Sequence, residues 1–274
     1  MLKDITLGQY FPGDTIIHRL DPRTKLLLVL VYMILTFSIN GFLGYLILAV
    51  FTFGCIFISR VPLKFVLKGL KPIFVFIVIT GLFNLFLTGG DPVFHWWIFT
   101  ITKQGLYFAA FMILRLVFLI LGTSLLTLTT SPIALTDGLE HLLSPFKRIG
   151  LPAHELAMMM TIALRFIPTL MEETDKIIKA QSARGADFES GNLLRRAKAM
   201  VPILIPLFIS AFRRADELAT AMECRCYRGG ENRTRLHELK YTKADSAAWL
   251  CFLLLAALLL ALRFLPWTGG GAAL

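Results

Sequence analysis

Two arginines, 41 residues apart, stand in matching surroundings: Ala183, Arg184, Gly185 and then Cys224, Arg225, Cys226. Each falls at the end of a long helical pattern. Gly185 is the residue type that closes a helix in the left-handed conformation, and Gly229 with Gly230 would end the second helix in the same way. A cation at a helix C-terminus is favoured by the dipole by roughly 0.3–1 kcal/mol, and small neighbours let a partner approach the backbone. Arginine adds a planar fork of donors that meets carboxylates in two-point contact. The chemistry this implies is a grip on an acidic groove of another protein, not catalysis. A lone arginine of this kind ordinarily caps its own helix; the repetition of the pattern argues for more.

Other groups suggest less. Arg115 lies well inside an apolar run, where insertion costs about 2.5–3.5 kcal/mol unless the side chain faces protein or water or snorkels. Neighbouring carbonyls or Asn84 would make it helix glue; contact with a substrate or partner is the alternative. His141, His154, Glu140 and Glu155 lie close in sequence, but a solvated helix face accounts for them. Cys55 and Cys251 are in apolar segments, and Cys224 and Cys226 flank Arg225, so the four cysteines give no disulfide framework. A Cys-x-Cys metal site would have only His237 near it as a further ligand. No GxxxxGK[ST] phosphate loop occurs.

The elements that must position the arginines follow from composition. With 56% hydrophobic residues, 17% charged residues and a mean hydropathy of +0.70, the chain reads as an integral membrane protein. Its net charge of +10 sits mostly beside apolar runs, as the positive-inside rule expects, so nucleic acid is not the implied partner. The spacing predicts an all-α, polytopic fold of about five transmembrane helices, with a long helical domain inserted before the last span. Residues 1–25 form a cytoplasmic segment without a signal-peptide apolar core, and 8–25, with Pro12, Gly13, Asp14 and Asp21, Pro22, read as an ordered loop. Residues 26–128 hold spans 1–4. The first, 26–39, is so short that it must borrow residues from the loop before it or sit in thinned bilayer. Arg60, Lys64, Lys68 and Lys71 mark a cytoplasmic interface, Pro72–Thr88 the third span, 89–104 with Trp96 and Trp97 an outer loop, and Gly105–Leu128 the fourth span. A last span at Ala247–Leu265 and an outer, Gly-rich tail fill 246–274.

Residues 131–245 hold 17 of the 28 Lys and Arg and 14 of the 18 Asp and Glu, which marks 129–245 as the aqueous domain. Ser131, Pro132 starts an amphipathic helix that Ser144, Pro145 should stop. Gly150, Leu151, Pro152 resets the chain for a helix from Ala153 to Ala183 containing Pro168. A third runs from about Leu193 to Tyr227, bent or divided by Pro202 and Pro206. Leu156–Leu170 and Val201–Phe212 are almost wholly apolar, so both helices are expected to lie in or near the cytoplasmic interface and pack on each other.

GQYFPGDTIIHRLDPRTK at 8–25, TTSP at 129–132, LRFIP at 164–168 and AQSARG at 180–185 together closely resemble the transmembrane T component of energy-coupling factor transporters, over essentially the whole chain. The resemblance implies a non-catalytic subunit in the cell membrane of a prokaryote, joining two ABC-type ATPases to a small membrane-embedded S component that captures a vitamin or other micronutrient. It implies two coupling helices crossing in an X, their tips docked on the ATPases through Ala183, Arg184, Gly185 and through Cys224, Arg225, Cys226. The second tip departs from the family's Ala-Arg-Gly pattern, which raises the question of whether the chain turns there in the same way. No cofactor is implied for this subunit, since ATP and Mg would be held by the ATPases. The rival readings are a conventional ABC permease, whose docking loop is short, and a stand-alone secondary transporter, which would need intramembrane carboxylates or a repeated half. A membrane enzyme would need clustered acids or histidines at the interface.

Overall fold

The computed structural model describes residues 10–39, 41–96, 99–186, 188, 192–230 and 238–264. They form two compact units, one of residues 10–139 with 238–264 and the other of residues 140–230. Gly8, Gln9, Asn40, Trp97, His237, Pro266, Trp267 and the tail lie outside the described residues.

The first unit is the membrane unit. Helices α1 (Pro22–Ser38), α2 (Phe42–Ser59), α4 (Phe74–Leu87), α5 (Lys103–Thr129) and α9 (Lys243–Phe264) make its body. Among the described residues, four stretches are long and apolar enough to cross a membrane: Phe42–Ser59, Leu63–Leu87, Lys103–Thr129 and Lys243–Leu262. With α1, which covers roughly 25 Å at the helical rise per residue, the chain is a multi-pass, helical membrane protein. Helix α1 begins at Pro22, earlier than the apolar pattern. The Asp21 carboxylate caps it by accepting from the Arg23 N–H at 2.8 Å, with proline at the first helical position, so the first span does borrow from the loop. The loop reading of 8–25 is therefore corrected at its C-terminal end.

Helix α5 packs against α1, α2 and α4, and its Phe111, Phe118, Leu121 and Leu128 meet Tyr32, Tyr45, Leu48 and Leu255 in the buried core. Outward side chains are apolar too: Val50 is 70% exposed and Phe57 86%, the inverse of a water-soluble surface and the face that lipid covers. Arg60 stands in the left-handed conformation at the end of α2, and α3 (Leu63–Lys68) with the 3₁₀ turn Lys71–Ile73 presents Lys64, Lys68 and Lys71 outward over buried Val66. The stretch 89–104, expected as a loop, carries two short strands among its described residues. Strand β1 (Pro92–Trp96) pairs antiparallel with β2 (Phe99–Thr102), and Thr102 caps α5 by accepting from the Gly105 N–H at 3.0 Å.

The insertion starts with α6 (Pro132–Leu143), capped as its sequence predicts: the Ala134 N–H donates to Ser131 Oγ at 3.2 Å. The α-helix stops at Leu143, directly before Ser144 and Pro145, as the sequence predicts. Pro145 sits near the start of a 3₁₀ helix, Ser144–Ile149, which Gly150 closes. The second unit is then dominated by α7 (Ala153–Ala183) and α8 (Leu193–Cys224), which pack on each other. Pro168 in α7 and Pro202 and Pro206 in α8 are carried inside continuous helices, so α8 is not divided.

Candidate functional site: two arginine-tipped helix ends

Helix α7 ends in a Schellman turn. Gly185, at φ +88°, donates its N–H to the Ser182 carbonyl at 3.0 Å, and Ala186 donates to Gln181 at 3.0 Å. Helix α8 ends in the same bond pattern one residue for one residue. Cys226 donates to Glu223 at 2.8 Å and Tyr227 to Met222 at 3.0 Å. Arg184 and Arg225 are the cap residues, with φ −86°, ψ 6° and φ −89°, ψ 12°. The chain therefore turns the same way after both arginines. The residue that makes the second turn is Cys226, at φ +55°, and not Gly229 or Gly230 as the glycine pattern suggested. A non-glycine residue in that region costs on the order of 1–2 kcal/mol, which the two closing bonds offset.

Ala183, Arg184, Gly185, Cys224, Arg225 and Cys226 are all exposed. Neither guanidinium has a hydrogen-bond or ion-pair partner among the described residues. Each tip thus presents five free donors beside the negative end of its own helix, the arrangement that pairs with a carboxylate on another surface.

The helices behind the tips are tied at three levels. Gln181 Nε2 donates to the Pro202 carbonyl at 3.4 Å. Glu173 accepts from Ser210 Oγ at 2.6 Å and from Arg214 Nη2 at 2.9 Å. His154 takes Glu140 Oε1 at 2.9 Å on Nδ1 and faces the Tyr227 hydroxyl at 3.5 Å on Nε2. As numbers rise along α7 they fall along α8, so the pair is antiparallel and its tips lie at opposite ends, roughly 40 Å apart at the helical rise per residue. The X implied by the resemblance left this direction open.

The prolines explain one tie. In an unbroken helix the Pro202 carbonyl would accept from residue 206, but Pro206 has no N–H to give, and Gln181 of α7 reaches that freed carbonyl. The Ser210 hydroxyl, and after it Arg214, hold the Glu173 carboxyl below the usual glutamate range. Neither tie was evident from the sequence; the only signal was an acidic run in α7 and a basic pair in α8. Of the four residues grouped near 140–155, Glu140 and His154 are brought together as a staple with Tyr227.

Arg115 lies in the first unit, away from both tips in the chain. Its Nε donates to the Tyr45 hydroxyl at 3.3 Å and its Nη2 to the Ile39 carbonyl at 3.5 Å, with the guanidinium 5.4 Å from the Phe37 ring centre. Ile39 caps the end of α1, so the cation sits at that helix's negative pole. Asn84 is not its partner; that amide donates to Thr80 of its own helix at 2.8 Å.

A family model described as "Cobalt transport protein" matches residues 13–236. Among curated relatives, the "Energy-coupling factor transporter transmembrane protein EcfT" of Clostridium kluyveri is 62% identical over 260 residues, 94% of this chain and 96% of that protein. The proteins of the same name from Thermosediminibacter oceani and Bacillus subtilis are 59% and 50% identical, each over 96% of this chain and all of theirs.

Proposed function

The chain belongs to the energy-coupling factor transporter transmembrane protein family, and on that premise we propose that Arg184 and Arg225 attach it to two ABC-type ATPases. The observation that carries the reading is the duplication itself: two C-terminal turns of the same hydrogen-bond pattern, each with an exposed arginine that has no partner among the described residues, at opposite ends of one antiparallel pair. ATP binding closes the ATPase dimer and draws the tips toward new positions. The ties at Gln181, Glu173 and His154 make α7 and α8 move as one body, which passes the displacement to a small membrane-embedded S component. That component tilts and releases a vitamin or other micronutrient to the cytoplasm. ATP and Mg are held by the ATPases, and this subunit hydrolyses nothing. The N-terminus is cytoplasmic, because Arg60, Lys64, Lys68 and Lys71 and the charged insertion then fall on the inner side of the cell membrane.

Membership of this family favours the coupling subunit over a conventional permease or a stand-alone secondary transporter. Purification of the tagged chain from its native membrane tests the proposal. Two ATPases with one or several small, very hydrophobic proteins are the expected companions; a chain that arrives alone, or with a soluble substrate-delivery protein, contradicts it.

A further inference from the structure

The chain runs to the tip-bearing insertion through α6, which follows Thr130, and comes back through residues 238–242 before Asp245; both stretches belong to the membrane unit and both are bound to one short segment, Asp21–Lys25. On the outgoing side, Lys25 Nζ donates to the Thr129 carbonyl at 3.0 Å and to Thr130 Oγ1 at 3.2 Å. Its third bond goes to the His18 carbonyl at 3.0 Å, so all three ammonium donors are used. On the returning side, the Asp21 N–H donates to Asp245 Oδ1 at 2.8 Å, while Thr242 gives its N–H and hydroxyl to Oδ2, both at 2.7 Å. Arg23 Nη2 donates to the Leu239 carbonyl at 2.7 Å, its guanidinium lies 4.7 Å from the Tyr241 ring centre, and its Nε holds Asp21 at 3.2 Å.

These groups are dry. Asp21, Thr24, Lys25, Thr129, Thr130 and Asp245 are each 6% exposed or less. Two opposed pairs of charges, Arg23 and Lys25 against Asp21 and Asp245, leave the cluster neutral, which is what burial of charge demands. Gly138 of α6 completes the contact: a Cβ there would stand 3.0 Å from Pro22 Cβ and 3.2 Å from its carbonyl carbon. The outgoing helix is thus seated directly on the segment that also holds the returning chain.

We propose that Asp21, Arg23 and Lys25 are positioning residues that clamp the outgoing and returning stalks of the insertion at a fixed separation. This rests on the coupling reading. A displacement that starts at Arg184 and Arg225 reaches the membrane unit along the chain through these two stalks, and stalks free to part would absorb it. Buried charge-assisted bonds fix the stalks' separation through their short, directed geometry, and parting them inside a dry site would leave buried charge unpaired.

The test places spin labels at Ile133 and Lys240, one on each stalk, in the full complex with its partners and with the native cysteines replaced. The parent complex is expected to give a single narrow distance, with and without Mg and a non-hydrolysed ATP analogue. Lys25→Met and Asp245→Asn are expected to lose that narrow distance while the partners still copurify and ATP is still hydrolysed. Arg23→Gln cuts only the returning side and guards against a variant that fails to assemble. A narrow distance retained in the assembled variants overturns the clamp, as does broadening found only where the chain has lost its cooperative unfolding. Copurification of the ATPases, scored on the same preparations, reports on the docking reading separately.

Discussion

Cys226 occupies after α8 the left-handed position that Gly185 occupies after α7, at φ +55° against +88°, and each donates its N–H to the carbonyl three residues back. The two tips are therefore one backbone motif written in two sequences, and the difference between them is open to measurement.

Cys226→Gly removes a Cβ from a backbone region that disfavours it and is expected to stabilise the α8 end by about 1 kcal/mol with docking unchanged. Gly185→Val does the reverse, putting a β-branched residue where φ is positive, and should fray the α7 tip and weaken docking on that side. Thermal unfolding and copurification of each variant check both directions.

Pro206→Ala returns an N–H to the Pro202 carbonyl and competes with Gln181 for it. In the parent, Gln181→Ala is expected to cost about 0.5–1.5 kcal/mol; in the Pro206→Ala background it should cost close to nothing. A double-mutant cycle on unfolding free energy reads the coupling, and additive effects would show that the two residues do not share the carbonyl.

Glu173 sets the acid limit of the middle tie. Its folded pKa is lowered, chiefly by the Ser210 hydroxyl and then by Arg214, so its stabilisation is fully present above the unfolded carboxyl value of about 4.3 and is lost as pH falls through the lower folded value. Glu173→Gln should unfold at lower temperature than the parent near neutral pH, and the two should converge under acid conditions. A gap that persists below the folded value would contradict the assignment.

Arg115→Ala leaves the Ile39 carbonyl and the Tyr45 hydroxyl without their donor and is expected to destabilise the membrane unit by about 1–3 kcal/mol. Detergent unfolding measures the loss. The transported compound should be unchanged, since on this account Arg115 braces the end of α1.

Much of this was legible in the sequence where local rules operate. Ser131 with Pro132 and Ala183 with Gly185 are short-range signals, and the helices they bound begin or end beside them, whereas Asp21 with Pro22, a signal of the same kind, read as a turn and instead starts α1. What escaped was set by distant partners. Lys25 and Asp245 are 220 positions apart, and nothing local shows that both meet the Asp21–Lys25 segment or its neighbours. Cys226 escaped for the opposite reason: its left-handed turn is held by bonds to Glu223 and Met222 against its own preference, and two later glycines offered a more obvious stop. The strands at Pro92–Trp96 and Phe99–Thr102 were hidden by Gly89, Gly90 and Pro92, which read as loop.

Charge reversal at both tips tests the central claim most directly. With Arg184→Glu and Arg225→Glu together, the chain should still reach the membrane and keep its hydrophobic companion, and both ATPases should be lost from the purified complex. ATPases recovered in parent stoichiometry from that double variant would contradict the assignment of these two arginines as the docking groups.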